Sequence, residues 1–223
     1  MKSIPPMNEV WQTTLNWQPN TRQQQLFEQL YHQVISANQN LNLTRITYPP
    51  DFWEKHLWDS LRGISAWLHL PPLSHLRIID IGTGAGFPGV PIAIVLPDAE
   101  VTLLEATQKK VVFLNQLIQN LGLEKVRAIG DRAESIAQKP DHANMYDLAT
   151  LRAVGTVTKC VQYAMPLLKP GGTAVLYRGH WAAAETAELQ TALPKFRGKL
   201  EEIESFTTPQ SQGIRHCVYI KKL

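Results

Sequence analysis

Residues 78–91 read IIDIGTGAGFPGVP, and this stretch constrains the fold more than any other in the chain. The run Arg77-Ile78-Ile79-Asp80-Ile81 reads as a buried parallel strand. It breaks into glycines at 82, 84, 86 and 89, and an apolar stretch with helical spacing follows (Val90, Ile92, Ala93, Ile94, Val95, Leu96). Strand, glycine loop and helix, in that order, open the nucleotide-cradling half of a doubly wound α/β sheet. Glycine reaches φ > 0 and lets a ligand lie against bare backbone, while the first amides of the helix face that ligand. A dinucleotide fingerprint needs a third glycine at position 87, where this chain has Phe87. Phe87 and Pro88 are expected to fill the space a pyrophosphate would need.

The chain has 223 residues, 44% of them hydrophobic, which suffices for one full α/β domain plus an appended segment. Its two cysteines are far apart and make no C-x-x-C pair, so neither a disulfide framework nor a zinc site is indicated. The start, MKSIPPMNEVWQTT, lacks the apolar core of a signal peptide, and no apolar run approaches the ~20 residues that cross a bilayer. A cytoplasmic location is expected. Net charge is +3, so any nucleic-acid contact must come from a local patch.

Residues 1–72 read as an all-α extension before a catalytic domain at 73–223. A short helix is expected in 1–20. A second, capped by Thr21, carries Leu26, Phe27, Leu30, Val34 and Ile35 to about residue 40. A third, capped by Asp51, is expected to run to about Leu70 with Phe52, Leu57, Leu61, Ile64 and Leu68 inward, closed by Pro71 and Pro72. Beyond the glycine loop, strands are expected at Val101–Leu104, Val126–Ile129, Tyr146–Leu151 and Thr173–Tyr177. Helices are expected at Lys109–Asn120, over the apolar positions Val157–Leu168, and at about Ala182–Leu193. An antiparallel pair, Lys199–Phe206 and His216–Lys221, closes a mainly parallel seven-stranded sheet with helices on both faces.

Ligands of such sheets bind outside the carboxyl ends of the strands. The glycine loop, Glu105, Arg132, Arg152 and Arg178 all fall there. Glu105, 23 residues past Gly82, stands where a carboxylate accepts hydrogen bonds from a ribose diol. The three arginines are expected to converge on the ligand edge, to hold phosphates or to stack on and orient a base, with one or two pairing instead to Asp131, Glu134 or Asp147. Lys109 and Lys110 open a helix, where the dipole disfavours cations. Phosphate contact is one reading of that placement and a solvated face is the simpler one.

The pattern Asp80-x-Gly82-x-Gly84-x-Gly86 resembles motif I of the Rossmann-like, class I methyltransferases that use S-adenosylmethionine (SAM). SAM carries no phosphate and tolerates Phe87. Among methyltransfer chemistries, attack through a cysteine on pyrimidine C5 is disfavoured, because Cys160 falls mid-helix and Cys217 in the last strand. Exocyclic amines go with a [DNS]-P-P-[YF] loop, and Thr150-Leu151-Arg152-Ala153 stands in its place. An already nucleophilic atom such as guanine N7 remains, as do some small metabolites. A SAM-binding protein without catalysis is the alternative from another class.

Further pieces narrow the match: Asn42-Leu43-Thr44, His56-x-x-Asp59-Ser60-Leu61, the loop continued as Phe87-Pro88-Gly89, Leu103-Leu104-Glu105, Lys109-Lys110-x-x-Phe113-Leu114, Arg132-Ala133-Glu134, Arg152-Ala153 and Arg215-His216. In this order they resemble the bacterial RsmG (GidB) family from about residue 41 onward. The resemblance implies methyl transfer from SAM to guanine N7 in small-subunit (16S) ribosomal RNA. It places SAM contacts at Asp80, Gly82, Gly84, Gly86, Phe87, Ala133, Glu134 and Arg152, with Glu105, Ala106 and Thr107 at the ribose. Arg152 is the expected positioning residue, without a general base. Arg132, Arg178, Lys109, Lys110 and His56 are expected RNA contacts, and no metal or obligate protein partner is evident. The family often has Lys-Gly where this chain has Arg178-Gly179, so geometry differs there although charge is kept. His56 and Asp59 share a helix face and serve equally as anchors of the extension.

Overall fold

The computed structural model describes residues 3–71 and 75–223. Seven strands form one sheet: β1 (Arg77–Ile81), β2 (Glu100–Glu105), β3 (Val126–Gly130), β4 (Tyr146–Arg152), β5 (Leu168–Arg178), β6 (Gly198–Thr207) and β7 (Ile214–Lys222). Their spatial order is β3-β2-β1-β4-β5-β7-β6. The first five are parallel, and β7 lies antiparallel between β5 and β6. Alternation along each strand splits the core. Ile78, Leu103, Leu148, Val175 and Cys217 face one side, and Ile79, Leu104, Ala149, Leu176 and Val218 the other.

The first face is covered by α5 (Gly89–Val95), α6 (Gln108–Leu121) and the described part of the N-terminal extension, which joins one continuous hydrophobic cluster with them. The second carries α7 (Ala133–Ile136), α8 (Val157–Ala164) and α9 (Ala183–Ala192). Helix α8 stops at Ala164, short of the expected Leu168, because Lys169-Pro170-Gly171-Gly172 bulges out within β5. Among the described residues no helix is long and apolar enough to cross a membrane.

The extension contains α1 (Asn8–Leu15) and α2 (Thr21–Leu41). Asn20, not Thr21, caps α2: its side chain accepts from Gln23 N–H, and the Gln23 side chain accepts from Asn20 N–H, each at 2.9 Å. The expected third helix is shorter and irregular. It starts at Pro49, runs as α3 (Pro49–Phe52), widens into a π-turn at Trp53–Trp58, and ends as α4 (Asp59–Arg62). Tyr48, not Asp51, precedes it. A tight 3₁₀ turn at Ser65–His69 replaces its last third. Phe52, Trp53, Glu54, His56, Leu57, Trp58, Ser60 and Leu61 are all buried, so segment 49–62 is enclosed on nearly every side. One-face periodicity therefore misjudged its regularity. Pro72 and the expected 72/73 boundary lie outside the described residues.

Candidate active site

The glycine loop is held from below by Asp80, which is fully buried. Its carboxylate accepts hydrogen bonds from Thr83 Oγ1 (2.6 Å), Gly89 N (2.8 Å) and Thr150 Oγ1 (2.9 Å). Thr150 stands directly opposite Asp80 in the β1–β4 register, a polar residue in an apolar strand. Burial raises the Asp80 carboxyl, and these three donors oppose the rise. Expected as a SAM contact, Asp80 is enclosed this way and shapes the loop rather than lining open space. Gly89 closes the arrangement by proximity: a Cβ there would meet Leu103 at 2.3 Å and Asp80 at 2.9 Å.

Glu105, at the end of β2, is 7% exposed. One carboxylate oxygen accepts from Gly84 N (3.0 Å) and the other from Thr107 N (2.8 Å). A carboxylate offers about four lone-pair sites, so acceptor capacity remains on both oxygens. Gly84 lies beside open space, since a Cβ there would meet nothing nearer than Gly82 O at 4.0 Å. Ala106 and Thr107 are exposed next to it.

Phe87 departs from expectation. It does not fill the space above the loop but turns inward, 3% exposed. His56 stacks on it at 4.3 Å and 10°, and Phe52 meets it edge-on at 5.5 Å. The apolar interior contributed by segment 49–62 draws the ring in. His56 departs too: expected at an RNA surface, it is 6% exposed, with Nε2 at 2.9 Å from Thr44 Oγ1 and Nδ1 at 3.2 Å from an Arg152 NH2.

Arg152 leaves the end of β4 and enters the same cluster. It donates to Lys55 O (2.7 Å) and Asp59 Oδ2 (3.3 Å), and its guanidinium stands 5.6 Å over the Phe87 ring. The π-turn, in which Asp59 N–H reaches back to Glu54 O, is the backbone that presents Lys55 O, His56 and Asp59 together. Burial pushes the Asp59 carboxyl up, and Arg152 works against that. Burial, then the Arg152 and Lys55 charges, hold His56 well below the ordinary imidazole range.

Beside Arg152 a cleft of about 420 Å³ opens at the carboxyl ends of β4 and β5, lined by Asp59, Arg152, Tyr177, Arg178, His180 and Arg215 among others. Arg178 pairs with Glu185 and donates to Gly155 O at 3.0 Å. The expected convergence of three arginines is corrected to two. Arg132 follows β3, four strands from β5, which at ~4.8 Å per strand separates their ends by roughly 19 Å. The expected carboxylate partners are corrected as well: Asp131 pairs with Lys139 and Asp147 with Lys169. Arg132, Lys109 and Glu134 are exposed near the β2–β3 edge, Lys110 is half-buried there, and Ala133 is buried. Among the described residues no group of three or more His, Cys, Asp or Glu is arranged to hold a metal ion.

Two residues of the site carried no local signal. Glu54, 1% exposed, accepts hydrogen bonds from the backbone amides of Gln210 and Ser211, tying the π-turn to the β6–β7 hairpin. Tyr177 donates to Ser60 O at 2.8 Å. Both link positions more than a hundred residues apart, beyond the reach of any local pattern.

The sheet order and the loop at the end of β1 are those of class I, SAM-dependent methyltransferases. Solved structures agree on the fold: a SAM-dependent methyltransferase from Aquifex aeolicus matches with a TM-score of 0.57 over 78% of this chain and 94% of that one, at 16% identity. M. jannaschii TYW2 in complex with AdoMet matches at 0.53 over 71% and 74%, at 15% identity. A family model described as GidB, rRNA small subunit methyltransferase G, matches residues 23–217. The chain belongs to that family. A protein named ribosomal RNA small subunit methyltransferase G from Nostoc punctiforme is 54% identical over 99% of this chain and 91% of its own length. Its namesake from Microcystis aeruginosa is 52% identical over 98% and 99%. The cofactor is SAM, and the residues present fit it: open space over Gly84 and acceptor capacity on a buried strand-end carboxylate suit a ribose laid against the loop.

Proposed function

We propose that this methyltransferase acts on N7 of a guanine in small-subunit ribosomal RNA, in the cytoplasm. The observation that carries the reading is the state of the cleft carboxylates. Both carboxylates lining the cleft are ion-paired, Asp59 with Arg152 and Glu185 with Arg178, so neither stands as an unpaired general base. Guanine N7 has a lone pair and needs no proton removed, so catalysis reduces to positioning. The thiols support the same reading. Cys160 is buried, donates to Val154 O at 2.8 Å and is pushed up to about 11 by burial, while Cys217 is buried in β7. Neither presents a thiolate to the cleft.

When bound, SAM supplies an electrophilic sulfonium methyl group. Glu105 would accept from the ribose hydroxyls, with Ala106 and Thr107 beside it. Gly82, Gly84 and Gly86, held by Asp80 and packed on Phe87, leave room for the ligand. Ala133 and Glu134, after β3, would border the base of the cofactor. Arg152 has five N–H donors, and three are engaged by Lys55 O, Asp59 and His56. Two remain to orient groups in the cleft it lines. Arg178 offers an RNA phosphate the donors that Glu185 and Gly155 O leave free, and Arg132, Lys109 and Lys110 extend a cationic track along the sheet edge. Recognition of shape in a folded or protein-bound RNA suits a chain of this modest charge.

The test incubates purified protein and methyl-labelled SAM with deproteinised small-subunit RNA and, separately, with small subunits from cells lacking the enzyme. Label released as N7-methylguanine is expected. No label in either, with SAM binding measured directly, would transfer the reading to a small-metabolite enzyme or a SAM-binding protein.

A further inference from the structure

The contacts of His56 determine where its proton sits. Arginine only donates, so Nδ1, at 3.2 Å from the Arg152 NH2, must accept. Nε2 then carries the hydrogen and donates to Thr44 Oγ1 at 2.9 Å. Thr44 Oγ1 also receives Ile46 N–H at 3.0 Å, which fills its two acceptor positions. Both ring nitrogens of His56 are matched with only one tautomer, the neutral Nε2–H form. The charged groups facing the ring are Arg152 from β4 and Lys55 from its own segment, with Asp59 beyond the guanidinium. Phe52 and Phe87 enclose the rest of it. A proton added at Nδ1 would set two cations at hydrogen-bond distance and remove the acceptor.

We infer that His56 is a positioning residue for methyl transfer, a tautomer-locked neutral acceptor that, backed by Thr44, aims the Arg152 guanidinium along the cleft. This rests on the reading of Arg152 given above. The ring does two separable things: it packs on Phe87 and it accepts from Arg152. His56→Phe keeps the ring and loses the acceptor. His56→Asn loses the ring but keeps a neutral acceptor, its amide oxygen lying about as far along the side chain as Nδ1.

The experiment compares kcat/KM for methylation of small subunits by wild type and both variants. About a 30-fold to 100-fold loss is expected for His56→Phe, and a smaller loss, roughly fivefold, for His56→Asn. A packing role alone predicts the reverse order, and that order would overturn the inference. A second measurement needs neither substrate nor a folded variant. Imidazole ¹⁵N shifts of the wild-type protein at pH 7 should place the hydrogen of His56 on Nε2, and an imidazolium or an Nδ1–H tautomer would overturn the assignment. Wild type that labels no RNA would fail the functional reading instead, while the tautomer result would still decide this one.

Discussion

Asp80, next to last in β1, and Glu105, last in β2, are both buried carboxylates, yet Asp80 is enclosed by three donors while Glu105 keeps acceptor capacity beside the open space over Gly84. Asp80→Ala leaves two hydroxyls and an amide without their acceptor, and a loss of about 3 kcal/mol with SAM affinity down more than about tenfold is expected. Chemical denaturation and calorimetry check both. Gly82 has φ +71°, and a Cβ would stand 2.9 Å from Val154 Cγ2, so Gly82→Val should abolish SAM binding; retained micromolar affinity would misplace the loop. Arg152→Ala should lose methyl transfer by about 100-fold or more while folding with a lowered Tm, because Asp59 is left buried without its cation. His56 also sets a sign for acid sensitivity. Its folded value lies below its unfolded value near 6.5, so within that window the unfolded chain binds more protons and stability falls as pH falls. Wild type should therefore lose stability on acidification faster than His56→Phe, by up to about 1.4 kcal/mol per pH unit, and denaturation curves from pH 7 to 5 measure the difference.

Among the elements, the strand–loop–helix at 77–95 was legible because its signals are local: an apolar run, glycines where φ is positive, and an apolar helix. The seven strands were legible for the same reason. Segment 49–62 was not, because burial on nearly all sides erases the one-face pattern by which a helix is read, and a π-turn has no residue code of its own. Glu54 shows the same limit, since its partners Gln210 and Ser211 are brought near only by the completed sheet. The site's arginines were visible as strand-end residues, but which carboxylate each would meet depended on strand order and on the extension. Glu54→Ala should free the hairpin tip locally: amide exchange at Gln210 and Ser211 is expected to rise at least about tenfold while β1 and β4 stay protected. Unchanged exchange there would deny the tether its role.

Across the whole molecule, two hydrophobic clusters share one sheet, and the extension belongs to the first of them. Trp11, Phe27, Leu30, Tyr31 and Val34 cover α5, α6 and segment 49–62. A chain beginning at residue 48 should therefore expose that face, bind hydrophobic dye and lose its single cooperative transition, whereas the full chain should melt in one step. Sheet order carries one more consequence, this time for synthesis. Among the described residues strand β6 hydrogen-bonds to the sheet through β7 alone, which is made after it. While the ribosome is still adding β7, the newly emerged β6 has no neighbour to pair with and β5 has an open flank. Strand β7 must therefore enter between two strands made before it, and a stall during β7 would leave both edges bare.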